Sequence, residues 1–190
     1  MEENNQLKVK EGLSIFGKVI VRSHPAGTIE KWQKLMDAGK TEEAKALLMK
    51  GKMEVEQKNL IVDSLNYGKD ILVQYLISAY NGSFAFPLGI AWGEIGTGST
   101  TPTVGDTALT TPTNRAPVSY AWDEALNIAH LQFFFPDAVL ANGTYPEAGS
   151  FIGGTSSIGT GNMFNHALFG TPYSKSSGSD TTLEIIFSIT

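Results

Sequence analysis

Apolar and polar residues follow two different periods along this chain, and the change falls near residue 80. Leu13–Arg22 is dense in β-branched residues and predicts a strand, with Gly17 marking a bulge. From Thr28 to Met36 the spacing becomes helical: Ile29, Trp32, Leu35 and Met36 share one face, and Gly39 ends the segment. Thr41 is placed to cap a second helix, with Glu42 and Glu43 in its first turn and Ala44, Leu47 and Leu48 as its stripe. The two make a short helical hairpin inserted at residues 28–50. Met53 and Val55 then alternate with Glu54 and Glu56 as in a half-buried strand. A further helix is predicted from Ser64 to Ala79, stopped by Asn81-Gly82, whereas residues 1–12 are polar, show no period and predict an arm.

Beyond Gly82 the period becomes two. Ile90–Ile95, Pro117–Trp122, Leu126–Phe135, Tyr145–Ile152, Met163–Phe169 and Leu183–Ile189 all predict strands. The fold class that follows is mainly β (α+β): an antiparallel β-sandwich of roughly seven strands over residues 13–190, with the hairpin inserted and one further helix. Leu126–Phe135 is apolar on both faces and belongs at the centre. Phe133, Phe134 and Phe135 in succession send rings to both sides of the sheet, and one sandwich core accepts only one side. The other side needs the Ser64–Ala79 helix or another subunit. The triplet is therefore the candidate subunit interface of a homo-oligomer, of obligate size, above ~2,000 Å².

Composition narrows the chemistry. The chain has 190 residues and no cysteine, which excludes a disulfide scaffold, a thiolate metal site and a cysteine nucleophile. Residues 1–80 balance 12 Lys and Arg against 11 Asp and Glu, whereas residues 81–190 hold only Arg115 and Lys175 against 8 acids. A net charge of −5 with no basic patch argues against nucleic acid as a partner. No apolar run reaches a membrane span, and Met1-Glu2-Glu3-Asn4-Asn5 does not open a signal peptide, so a soluble protein made in a cytoplasm is expected.

The candidate reactive groups are few. Gly93-Glu94-Ile95-Gly96-Thr97-Gly98-Ser99 superficially suggests a phosphate loop, but it runs into Thr100-Thr101-Pro102-Thr103 with no lysine and no helix. It reads as a connecting loop. His24, His130 and His166 lack metal-ligand spacing and nearby carboxylates in sequence, so each reads as a sheet residue. Asp123-Glu124 reads as a strand-end turn rather than an acid–base pair, and Asn81-Gly82-Ser83 and Asn142-Gly143-Thr144 read as turns. The hairpin looks slightly like one tetratricopeptide unit, but no second copy occurs. A sugar-stacking role for the Phe133–Phe135 rings is weaker than a core or subunit contact. No catalytic, cofactor-binding or metal-binding residue is expected, and no enzyme activity.

From Lys58 onward the chain resembles small structural proteins of tailed bacteriophages. The resemblance rests on Lys58-Asn59-Leu60-Ile61-Val62, then Gly96-Thr97-Gly98-Ser99-Thr100-Thr101-Pro102 and Gly105-Asp106-Thr107-Ala108-Leu109. It continues through Phe133–Phe135, Asn142-Gly143-Thr144-Tyr145-Pro146-Glu147-Ala148-Gly149, Asn165-His166-Ala167-Leu168-Phe169 and Ser179-Asp180-Thr181-Thr182-Leu183. It implies a virion component without catalytic residues: a capsid decoration protein, or alternatively a tail-fibre or baseplate subunit that binds a receptor or glycan. Its implied partners are copies of itself, commonly as a trimer, and the major capsid or tail proteins. The helical insertion at Thr28–Lys50 departs from the pattern.

Overall fold

The computed structural model describes residues 15–61, 89–125 and 128–189. Eight strands and two helices follow one another as β1 (Ile15–Pro25), α1 (Thr28–Asp37), α2 (Thr41–Met49), β2 (Lys52–Ile61), β3 (Ile90–Gly96), β4 (Pro112–Ala125), β5 (Ile128–Phe135), β6 (Gly143–Ile152), β7 (Asn162–Lys175) and β8 (Ser179–Ile189). Every pairing is antiparallel, and the order β1-β2-β7-β6-β3-β4-β5-β8 returns to β1. The sheet is thus a closed barrel, which corrects the expected open sandwich.

The closure has a local cause. β2 pairs with β1 from Lys52 to Asn59 and then with β7 through Leu60 and Ile61. β4 pairs with β3 as far as Pro117 and with β5 from Val118 onward. Two strands that change partners partway along form the corners of a barrel, and no free edge is left to template association. Within the wall, β3-β4-β5 is a meander and β6 returns beside β3, the order of a Greek key.

Alternate side chains fill the barrel. Val19, Val21, Val55, Ile95, Phe133, Phe135, Tyr173, Leu183 and Ile185 belong to one buried cluster, so the interior is packed core. Phe134 points the other way and joins Trp32, Ala44 and Leu48 of the hairpin, with Tyr120 alongside. Trp32 meets Phe134 edge-on, 4.6 Å between ring centroids. The cover over Phe134 on the second face of β5 is therefore the α1–α2 hairpin. The Ser64–Ala79 helix and the arm at residues 1–12 lie outside the described residues.

Two local expectations change. The β1–β2 register shifts between Val21 and Arg22, not at Gly17. A Cβ at Gly17 would instead fall 1.8 Å from Asn59 Oδ1, so that glycine makes room for a side chain on β2. Thr41 is the first residue of α2 and not its cap; Lys40 holds the cap position without a side-chain bond. Gly39 does end α1 as predicted, at φ 71°.

Candidate functional site: carboxylate clasps on the barrel wall

Glu147 lies in β6, opposite Gly96 on β3, and is fully buried. Its Oε1 accepts the backbone N–H of Gly98 at 2.9 Å and of Thr111 at 2.8 Å, and its Oε2 accepts that of Thr110 at 3.0 Å. Oε2 also lies 3.2 Å from His166 Nε2 on β7. Cβ atoms at Gly96 or Gly98 would each fall 2.5 Å from Oε1, so only glycine lets the chain wrap the carboxylate this closely. The glycine-rich stretch that superficially suggests a phosphate loop is thus an anion nest, and its anion is the protein's own.

His166 extends the clasp outward. Its Nδ1 is 2.7 Å from Asp106 Oδ2, and Asp106 accepts the Thr103 amide at 2.9 Å and the Thr103 hydroxyl at 2.6 Å. Both ring nitrogens therefore face carboxylate oxygens, and both bonds form only when the imidazole carries both protons. Burial alone would lower the His166 pKa, but the bonds to Glu147 and Asp106 outweigh it and hold the group above its ordinary value. Burial opposes ionisation of Glu147 too, yet His166 and the three amides hold its pKa below the usual range. The result ties the β3–β4 connection (residues 97–111) onto the barrel wall, over Leu109, Phe151, Met163 and Trp92.

A second clasp repeats the design on the β6–β7 connection. Glu94 is ion-paired with Arg115 and accepts the Gly159 amide at 2.8 Å, while Arg115 donates to the Thr160 carbonyl at 2.6 Å. The guanidinium carbon sits 5.1 Å from the Trp92 ring centre and 4.9 Å from that of Phe151. On the opposite wall His130 lies between Glu184, 2.9 Å from Nδ1, and Glu124, 2.8 Å from Nε2, and stacks on Trp122 at 4.4 Å. Near the rim Lys175 pairs with Asp137, which also accepts the Gly178 amide; the Asp137 amide in turn donates to Asp180, and Ile29 of α1 donates to that same carboxylate.

These contacts decide what the groups can do. His166, engaged by carboxylates at both nitrogens and held above its ordinary pKa, has no free lone pair with which to act as a base. Among the described residues no group of three or more His, Asp and Glu is arranged to hold a metal ion. Phe133, Phe134 and Phe135 are all buried within the single chain, at 0%, 8% and 0% exposure, so the candidate interface offers no surface. Asn142-Gly143-Thr144 lies at the entry to β6, and Asn81-Gly82-Ser83 is outside the described residues.

Sequence reasoning missed the carboxylate partners of His130 and His166. Glu124 and His130 meet across the paired strands β4 and β5, a contact visible only once the register Trp122↔His130 is known. Comparison of the chain with family models, with curated proteins and with solved structures finds no match.

Proposed function

We propose that the chain is a non-enzymatic structural subunit on the surface of a tailed-phage virion, with capsid decoration the favoured place. The observation that carries this is where the charges go. Among the described residues of the β half, each buried acid, histidine and lysine (Glu94, His130, Glu147, His166, Lys175, Asp180, Glu184) is engaged with another part of the same chain. Groups consumed in this way hold loops and rims in place. They are not poised for turnover.

The phage-like segments add weight because they converge. Gly98, Asp106, Glu147 and His166 come from four separate stretches of that resemblance and meet in a single clasp. Those stretches therefore specify a fold, which suits a family defined by architecture. Outside the clasps the β half presents mostly Ser, Thr, Gly and Asn, a quiet exterior suited to packing beside identical copies or a capsid shell. The oligomer, a trimer on the resemblance, would associate through that exterior, the phenylalanine triplet being internal. The tail-fibre or baseplate alternative requires a receptor surface. Among the residues whose burial is described no aromatic is fully exposed, Trp92, Tyr120 and Trp122 being half-buried, which disfavours a sugar-stacking platform.

The test is to make particles without the chain. They are expected to assemble but to release their DNA at a lower temperature, and added purified chain should restore the wild-type release temperature. Particles of unchanged heat resistance, or purified chain that fails to bind them, would contradict the decoration role.

A further inference from the structure

A cleft of about 730 Å³ opens where the hairpin meets the barrel rim, between the end of β1, the helix ends and the β7–β8 turn. Its lining carries Lys31, Lys50 and Lys52, several serine hydroxyls, and no carboxylate or aromatic residue. Three other lysines of the first half are paired: Lys34 with Glu30, Lys40 with Glu43 and Lys18 with Glu56. Among the described residues Lys31 and Lys50 have no such partner. Lys52 reaches Glu54, whose carboxylate also takes the Ser23 hydroxyl.

Lys31 is exposed at the mouth of the cleft. It sits in the first turn of α1, the positive end of the helix dipole, where a cation is disfavoured. Lys50 follows the C-terminal end of α2 and is suited to that dipole, but it too faces the cleft. His24 also lines the cleft, although it is only 3% exposed. Its Nε2 pairs with Thr182 Oγ1 at 3.0 Å, and among the described residues Nδ1 has no partner. Gly51 leaves room for that ring, since a Cβ there would fall 2.1 Å from its Cε1. The site thus joins exposed ammonium groups to one buried polar atom.

We propose that this cleft binds an anionic saccharide, a sugar unit bearing a phosphate or a carboxylate. The lysines select the negative charge, and the serines and His24 meet the hydroxyls. The volume lies within the range of about 300–1,000 Å³ usual for small-molecule sites, and exceeds what a bare inorganic anion needs. Without an aromatic platform, recognition rests on charge and hydrogen bonds, so binding weakens as salt rises. The inference does not depend on the particle reading, since it concerns the isolated chain.

Calorimetric titration of the full chain at low salt with glucose 6-phosphate, glucuronate, glucose and inorganic phosphate tests it. One or both sugar anions should bind, and neutral glucose should not. Binding of the phosphate ester alone or of the uronate alone would identify the anionic group. The double charge reversal K31E/K50E should weaken binding by about tenfold or more with an unchanged melting temperature. Reversal of Lys34 and Lys40, outside the cleft, should leave binding as it was. The proposal is overturned if neither sugar anion binds, if binding survives K31E/K50E, or if inorganic phosphate binds as tightly as the sugar anions.

Discussion

At the scale of single residues the buried carboxylate of Glu147 organises the most chemistry, and its partners give it a pH signature. His166 is held above its ordinary pKa, so its contribution is complete below the unfolded value of about 6.5 and fades as pH rises through the native one. Glu147 and Asp106 are held below theirs, so their contributions are complete above about pH 4.5 and fade as pH falls through the lowered native values. The clasp is therefore strongest between roughly pH 5 and 6.5 and weakens on either side. His24, which burial holds low, works in the opposite sense, so the clasp is isolated by comparison with a variant. His166→Gln should cost about 2 kcal/mol in urea unfolding near pH 6, and the difference should shrink towards pH 9. A difference that stays flat over that range would show that the imidazole is not charged in the folded protein. Glycine positions give a second test of the same site. Gly98→Ala drives a methyl group into Glu147 and should cost about 1–3 kcal/mol, whereas Gly105→Ala, with nothing within 4 Å, should be nearly neutral in a thermal melt. Little of this was legible from sequence. The partners of Glu147 lie 49, 37, 36 and 19 residues away, and local patterning carries no signal at those separations.

At the scale of elements, patterning did well wherever the period was strong. The hairpin helices fall at Thr28–Asp37 and Thr41–Met49, close to where the apolar stripes place them. Strands defined by alternation are longer in the structure, β7 reaching Lys175 and β4 beginning at Pro112, because hydrogen bonding continues past the apolar residues. The triplet at Phe133–Phe135 was legible as two-faced, but not what covers it. Alternation fixes which ring points outward and says nothing of what packs there. Because the cover is the hairpin, Trp32→Ala should cost about 3 kcal/mol, read by denaturant unfolding. Replacing residues 28–50 with a short turn should expose Phe134 and Tyr120 and make the barrel bind a hydrophobic dye. A shortened protein that stays soluble and dye-free would place the outer seam elsewhere.

At the scale of the whole molecule, alternating strands with regular turns fit a sandwich and a barrel equally. The difference lies in β2 and β4, which change partners partway along, and no residue type marks that event. The consequence for function is large. Among the described strands a closed wall leaves no edge to extend, so association through the barrel uses side chains on its outer surface, and those of the β half are mostly uncharged. Light scattering on purified chain should report an oligomer, and a monomer at micromolar concentration would remove the trimer from the account. The central claim, that this is a virion component whose buried charges serve architecture, is tested most directly by quantitative mass spectrometry of purified particles. The chain should be present in many copies per particle, in a ratio to the major capsid protein fixed by the symmetry of the shell. Abundant chain in the infected lysate with none in the purified particles would contradict it.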